Sequence, residues 1–227
     1  MFKKGYSPRD DSWNSLDERA AAYNRMSRWY DLTAGRWEKK IRIAGLKRLR
    51  AQRGERILEI GFGTGHALRT LAQIVGWNGR VFGLDISDGM LRMARKRIKK
   101  ADFTDHVLFT IGDARQLPYQ ANFFDGIFMS FSLELFSQAE IPDVLAECRR
   151  VLRECGRLGI VAMSGKGRST LMMKLYKWAG EKFPRYVDCR PILAREEVER
   201  AGFLVKETVT ISFFHLPVEI VVGRKQD

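Results

Sequence analysis

The sequence predicts an α/β domain with a seven-stranded, mostly parallel sheet, helices on both faces and an antiparallel hairpin at one edge. Three observations carry this. Hydrophobic periodicity switches repeatedly between strand-like and helix-like along most of the chain. A glycine-rich turn, "LEIGFGTGH", joins a short apolar run to a helical segment. The last two strand-like runs have no long helix between them, so they read as a hairpin. The 227 residues, 45% of them hydrophobic, are enough to bury one sizeable core.

The elements follow in order. Helical segments are expected near 12–33 and 36–52, before the first strand, "RILEIG". Further strands are "RVFGLD" (80–85), "VLFTIG" (107–112), "FDGIFMS" (124–130) and "RLGIVAM" (157–163). Helices fall between them, near 64–76, 87–100 and 138–153. The last of these ends in "RRVLRECG", with cations in its final turn and Gly156 as the residue that terminates it. After 163 the alternation breaks. A basic amphipathic stretch (166–183) leads to "PRYVDCRPI", a short helix near 194–201 and the strands "AGFLVKETVTI" and "LPVEIVVGRK".

Composition narrows the function. No run of eighteen apolar residues suggests a transmembrane span, and the polar start "MFKKGYSPRDDSW" does not read as a secretory signal. Cys148, Cys155 and Cys189 lack C-x-x-C spacing, so reduced thiols in a cytoplasmic setting are expected, with no metal site. The formal net charge is +13, which suits an anionic membrane surface, a nucleic acid or an acidic substrate. Arg36 to Arg53 alone carries eight Lys/Arg against one Glu.

The glycine turn is the strongest chemical signal. Gly61, Gly63 and Gly65 give G-x-G-x-G, not the G-x-G-x-x-G of a dinucleotide fold, and no G-K-[ST] follows. Glu59, two residues earlier, would repel a pyrophosphate but suits a cationic ligand. Asp85 ends the second strand, where a carboxylate can accept both hydroxyls of a ribose. Asp113 ends the third, placed to accept from an adenine amino group. The fourth strand, in "FFDGIFMSFSLELF", should reach the same crevice.

With these motifs in this order, residues 50–165 resemble the class I S-adenosylmethionine-dependent methyltransferases, and most nearly the ubiquinone/menaquinone-biosynthesis group. "YNRMSRWYDLTAGRW" and "RRVLRECGRLGIVAMS" add to the likeness. The resemblance implies a Rossmann-like fold and S-adenosyl-L-methionine as cofactor. It implies cofactor contacts from Tyr23, Tyr30, Glu59, Gly61, Gly63, Gly65, Asp85, Ile86, Met90, Asp113, Ala114 and Ser130. Residues 1–50 become a helical extension over the cofactor, 51–227 the catalytic core, and 164–192 an acceptor lid or membrane-contact segment. The chain departs from the group at Glu154-Cys155, at Ala162 and at Ser132–Leu135, the last of these where the acceptor should bind.

His66, Tyr30 and Glu134 are the expected groups near the reacting end, and Phe131 and Trp178 are expected against the acceptor. Arg185, Tyr186, Asp188 and Arg190 are candidate ligands for a polar head group. The expected acceptor is a hydrophobic, membrane-borne small molecule of quinone-precursor type, on a cytoplasmic enzyme peripheral to the inner face of the membrane. An aminophospholipid N-methyltransferase is the nearer alternative. An RNA methyltransferase is the lower-ranked alternative: the Asn/Asp-Pro-Pro-Tyr/Phe signature is missing after the fourth strand, and Cys148 and Cys155 fall on the following helix and turn, so a nucleic acid is not the expected partner. A cofactor-binding protein without activity is the remaining alternative, disfavoured by the intact motifs.

Overall fold

A computed structural model describes residues 20–21, 35–166, 191–213 and 216–226. Seven strands form one sheet: β1 (Arg56–Ile60), β2 (Arg80–Asp85), β3 (Val107–Ile111), β4 (Phe124–Ser130), β5 (Leu152–Met163), β6 (Phe203–Phe213) and β7 (Leu216–Lys225). Their order is β3-β2-β1-β4-β5-β7-β6. The first five run parallel, and β7 is antiparallel to both β5 and β6. The expected hairpin is present, with β6 at the edge and β7 inside.

Among the described residues five helices cover the sheet: α1 (Gly35–Leu49), α2 (His66–Val75), α3 (Asp88–Lys100), α4 (Ile141–Val151) and α5 (Ala194–Arg200). The first three share a buried cluster through Ile41, Leu46, Leu68, Leu71, Ala94 and Ile98, joined by Val81 and Phe128 of the sheet. The other two close the opposite face through Val144, Leu145, Cys148 and Val198, against Ile127 and Ile160. Each helix buries one stripe, as the 3.6-residue period requires. Ser87 caps α3 by accepting the Met90 N–H, with Asp88 in the first turn and Arg97, Lys99 and Lys100 in the last, which complements the helix dipole at both ends.

One expected boundary moves. The helix after β4 stops at Val151, and β5 begins at the next residue. Gly156 is therefore inside a strand and not a helix terminus. Pairing with β4 decides this: Phe123 N–H donates to Val151 O at 2.8 Å, and Phe124 sits opposite Leu152 before the register shifts. Cys155 takes up the bend with φ of 61°. Helix-favouring residues there are overridden by the tertiary pairing.

Two expected segments, 12–33 and 166–183, lie outside the described residues apart from residues 20–21 and 166. No helix among the described residues is long and apolar enough to cross a membrane.

Candidate functional site

The strand order reverses between β1 and β4, and the carboxyl ends of those strands frame a crevice, the usual place for a ligand on an open parallel sheet. The loop from Gly61 to Gly65 fills its rim. All three glycines have positive φ, 71°, 51° and 81°, a region that costs an L-residue about 1 kcal/mol or more. Two of them also lie against neighbours. A Cβ on Gly61 would stand 2.5 Å from Ser132 Cβ, and one on Gly65 would stand 2.9 Å from Ala94 Cβ. A Cβ on Gly63 would meet nothing within 4 Å, so the loop leaves a cradle there.

Backbone hydrogen bonds fix the loop. Gly61 N–H donates to Leu84 O at 2.8 Å and Gly65 N–H to Phe62 O at 2.9 Å. Gly63 N–H donates to Asp85 Oδ2 at 2.9 Å, and Ser87 N–H to Asp85 Oδ1 at 3.0 Å. Asp85 thus ties the loop to the end of β2, with the Ile86 N–H as a third donor to the same carboxylate. Burial raises its carboxyl above the ordinary range, against the opposing pull of those N–H groups.

Glu59 lies beneath, 3% exposed. Burial holds its carboxyl well above the ordinary carboxylate range; Arg42 pulls it down and Asp85 pushes it up. Its Oε2 is buried without a hydrogen-bond partner. A buried acceptor left over beside an open glycine cradle fits a cationic donor such as an ammonium group.

The remaining expected residues sort by position. Asp113 is half-buried at the end of β3, and both its oxygens accept from Arg115, at 2.9 Å from the N–H and 2.8 Å from Nε. Arg115 continues to Glu140 Oε1 at 2.6 Å, linking the loop after β3 to α4. Ile86 is half-buried beside Asp85. Met90 and Ala114 are each 2% exposed within the core clusters, so both pack as core side chains. Ser130 and Phe131 are half-buried at the end of β4, and Phe131 takes φ of 54° as its N–H reaches Val161 O. His66 is half-buried as the first residue of α2.

Glu134 belongs to a short 3-10 turn after β4 and is fully buried. Its Oε1 accepts the Met163 N–H at 3.1 Å, Oε2 has no partner, and burial pushes its carboxyl up to about 8. Tyr23, Tyr30, Trp178, Arg185, Tyr186, Asp188 and Arg190 lie outside the described residues.

Four contributors, Arg115 among them, had no role assigned from the sequence. Ser132 Oγ donates to Ile60 O at 2.9 Å, pinning the β4 turn against the end of β1. Arg97 of α3 donates to the Thr64 carbonyl inside the glycine loop. Arg42 of α1 faces Glu59 electrostatically. Ser132, inside the Ser132–Leu135 departure, and Arg115, two residues beyond Asp113, lay near motifs; Arg42 and Arg97 did not.

The comparisons agree with this geometry. A family model described as a methyltransferase domain matches residues 57–156. A ubiquinone/menaquinone biosynthesis C-methyltransferase of Paraburkholderia phymatum is 30% identical over 182 residues, 77% of this chain and 72% of the relative. The chain belongs to the class I S-adenosylmethionine-dependent methyltransferases, whose cofactor is S-adenosyl-L-methionine. A demethylmenaquinone methyltransferase of Symbiobacterium thermophilum is 35% identical over 142 residues, 63% of this chain and 55% of the relative. The chain spans about half the length of this and another of the curated relatives it matches. Among solved structures, the [4+2]-cyclase SpnF aligns with a TM-score of 0.77 at 19% identity, over 93% of this chain and 97% of that one. Phosphoethanolamine N-methyltransferase 2 of Haemonchus contortus aligns at 0.71 and 17% identity, over 93% and 60%. These two share the fold, and a cyclase among them shows that the fold alone does not fix the reaction.

Proposed function

We propose that this chain transfers a methyl group from S-adenosyl-L-methionine to a hydrophobic small molecule of quinone-precursor type. The observation that carries the acceptor class is its 30–35% identity to relatives named as demethylmenaquinone and ubiquinone/menaquinone C-methyltransferases. The crevice geometry supports the cofactor half of the reading.

Bound S-adenosyl-L-methionine supplies an electrophilic methyl on a sulfonium. Glu59 accepts from the cofactor's ammonium group, and the Gly61–Gly65 loop receives its amino-acid part in the cradle at Gly63. Asp85 offers its remaining acceptor capacity to the ribose hydroxyls. Ile86 flanks the base, and Asp113, braced by Arg115, meets its edge. Ser130 and Phe131 face the acceptor side. Catalysis of this kind rests on alignment and on exclusion of water.

A phenolic or carbon acceptor must also lose a proton. Tyr30 lies outside the described residues. Glu134 is shut off from solvent and, with its carboxyl raised to about 8, carries a proton at neutral pH. His66, half-buried at the start of α2, and Tyr30 are the two candidates for proton removal. Contact with an anionic membrane surface belongs to the same reading, since the acceptor partitions into lipid and the protein carries +13.

The test is to incubate the purified protein with methyl-labelled cofactor and a total lipid extract, then follow label by mass spectrometry. Label in a quinone precursor is expected. Label confined to aminophospholipids would replace this reading with N-methylation. Label in added RNA alone would overturn it.

A further inference from the structure

A second concavity lies away from the cofactor crevice. The groove between α4 and α5, with the end of β7 at its base, forms a cleft of about 600 Å³. Pro142, Ala146 and Ala201 give it an apolar side, and four cations, Arg149, Arg150, Arg200 and Lys225, line it together with one carboxylate, Glu197. Lys225 closes β7 next to the amino end of β5, whose Arg157 pairs with Arg224. The basic end of the cleft therefore sits at the sheet edge opposite the glycine loop.

Two of the four cations are neutralised. Arg150 grips both oxygens of Glu147 and donates to the carbonyls of Leu117 and Tyr119. Arg200 pairs with Glu197 at 2.7 Å and Glu196 at 3.5 Å, and Glu197 also accepts from Gln138.

Arg149 and Lys225 differ from these. No carboxylate pairs with either among the described residues. The recorded contact of Arg149 is a 3.5 Å approach to Gln226 O, and its Nε is buried without an acceptor. Lys225 Nζ donates to two neutral oxygens, Asn122 Oδ1 at 2.7 Å and Leu152 O at 2.6 Å, which leaves one of its three N–H groups. Burial and then the charge of Arg149 lower the Lys225 ammonium below its ordinary range. The charge of Glu154 acts the other way but pairs with neither cation; two like charges held together destabilise each other, and a shared anion lowers that cost.

We propose that this cleft is a binding site for a small phosphate-bearing ligand, its oxygens shared between the Arg149 guanidinium and the free Lys225 N–H, its organic part lying on Pro142, Ala146 and Ala201. A guanidinium fork matches phosphate geometry. The site needs no particular methyl acceptor and stands apart from the methyl-transfer reading.

The probe is inorganic pyrophosphate, titrated calorimetrically into the full chain at constant ionic strength. Saturable binding is expected, weakened roughly tenfold or more by Arg149→Gln or Lys225→Gln, the size of one lost charge-assisted contact. Arg92→Gln with Lys96→Gln, both exposed on α3, should leave it unchanged, and S-adenosylhomocysteine affinity should hold throughout. Lys225→Gln also removes a bond to Leu152 O; if that variant misfolds, Arg149→Gln decides alone. Absence of saturable binding, or equal weakening by the α3 control, overturns the proposal.

Discussion

One methyl group separates the roles of the three loop glycines. At Gly65 an added Cβ collides with Ala94, and overpacking of that kind costs about 1–3 kcal/mol besides the backbone strain. At Gly63 the space is open, so Gly63→Ala should cost only about 1 kcal/mol, from its positive φ. The added methyl would nonetheless occupy the cradle. Gly63→Ala is therefore expected to melt within a few degrees of the parent and to bind S-adenosylmethionine at least roughly tenfold more weakly (about 1.4 kcal/mol); Gly65→Ala should lose stability first. Calorimetry beside thermal melts checks this, and equal losses at both positions would refute the distinction.

Glu134 makes a pH prediction. Its folded carboxyl titrates near 8 against an ordinary value of 4.5. Between those values the folded state holds a proton that the unfolded chain has released, so its contribution is intact at low pH and is lost as pH rises through about 8. The slope is at most about 1.4 kcal/mol per pH unit. Glu134→Gln keeps the acceptor for Met163 N–H and removes the titration. Urea unfolding should show the variant gaining on the parent steadily from pH 5 to pH 8; parallel pH profiles would rule this out.

Among the elements, Asp125 holds three strands together. It is 6% exposed, accepts the Arg56 N–H at 2.7 Å and pairs with Arg153 at 2.5 Å, so it clips the amino ends of β1, β4 and β5. Asp125→Ala strands a buried donor and should cost about 2–3 kcal/mol, with Asn restoring part of it. Hydrogen exchange should rise first at the starts of those strands, and unchanged protection there would contradict the clip. Nearly all these elements were legible because apolar runs ended in glycine or acid residues at the sheet's carboxyl edge. The α4–β5 junction was not, because "RRVLRECG" has helical propensity and its strand pairing is non-local. No inner strand was assigned from the sequence; in the structure β7 is buried almost throughout, as an inner strand's residues should be, whereas β6 carries Lys206, Glu207, Thr208 and Thr210. In the crevice, motif residues were readable, but Ser132, Arg42 and Arg97 reach it only through the fold.

At the scale of the whole molecule, many exposed cations among the described residues gather on the α1–α3 layer. Arg92, Arg95, Lys96, Lys99 and Lys100 of α3 are exposed, as are Lys39 and Lys47 of α1 and the following Arg50 and Arg53. Vesicles containing anionic lipid should retain the protein at low salt and release it as the Debye length falls from roughly 14 Å at about 0.05 M to about 4 Å at 0.5 M. Cosedimentation with neutral vesicles as control measures this. Stronger retention on RNA of equal charge would favour the nucleic-acid alternative.

The reversed strand β7 also sets an order of assembly. β5 pairs with β4 on one side, but its other edge and the whole of β6 (Phe203–Phe213) have no partner until Leu216–Lys225 lies between them. During synthesis the left half of the sheet, with the glycine loop, can close while the β5 edge stays open. Non-local pairings of this kind form late and leave an edge exposed to other chains. The topology thus lets the strands that frame the cofactor crevice come together before the β5–β7–β6 side of the sheet, and a cofactor bound to them would stabilise that part of the fold first.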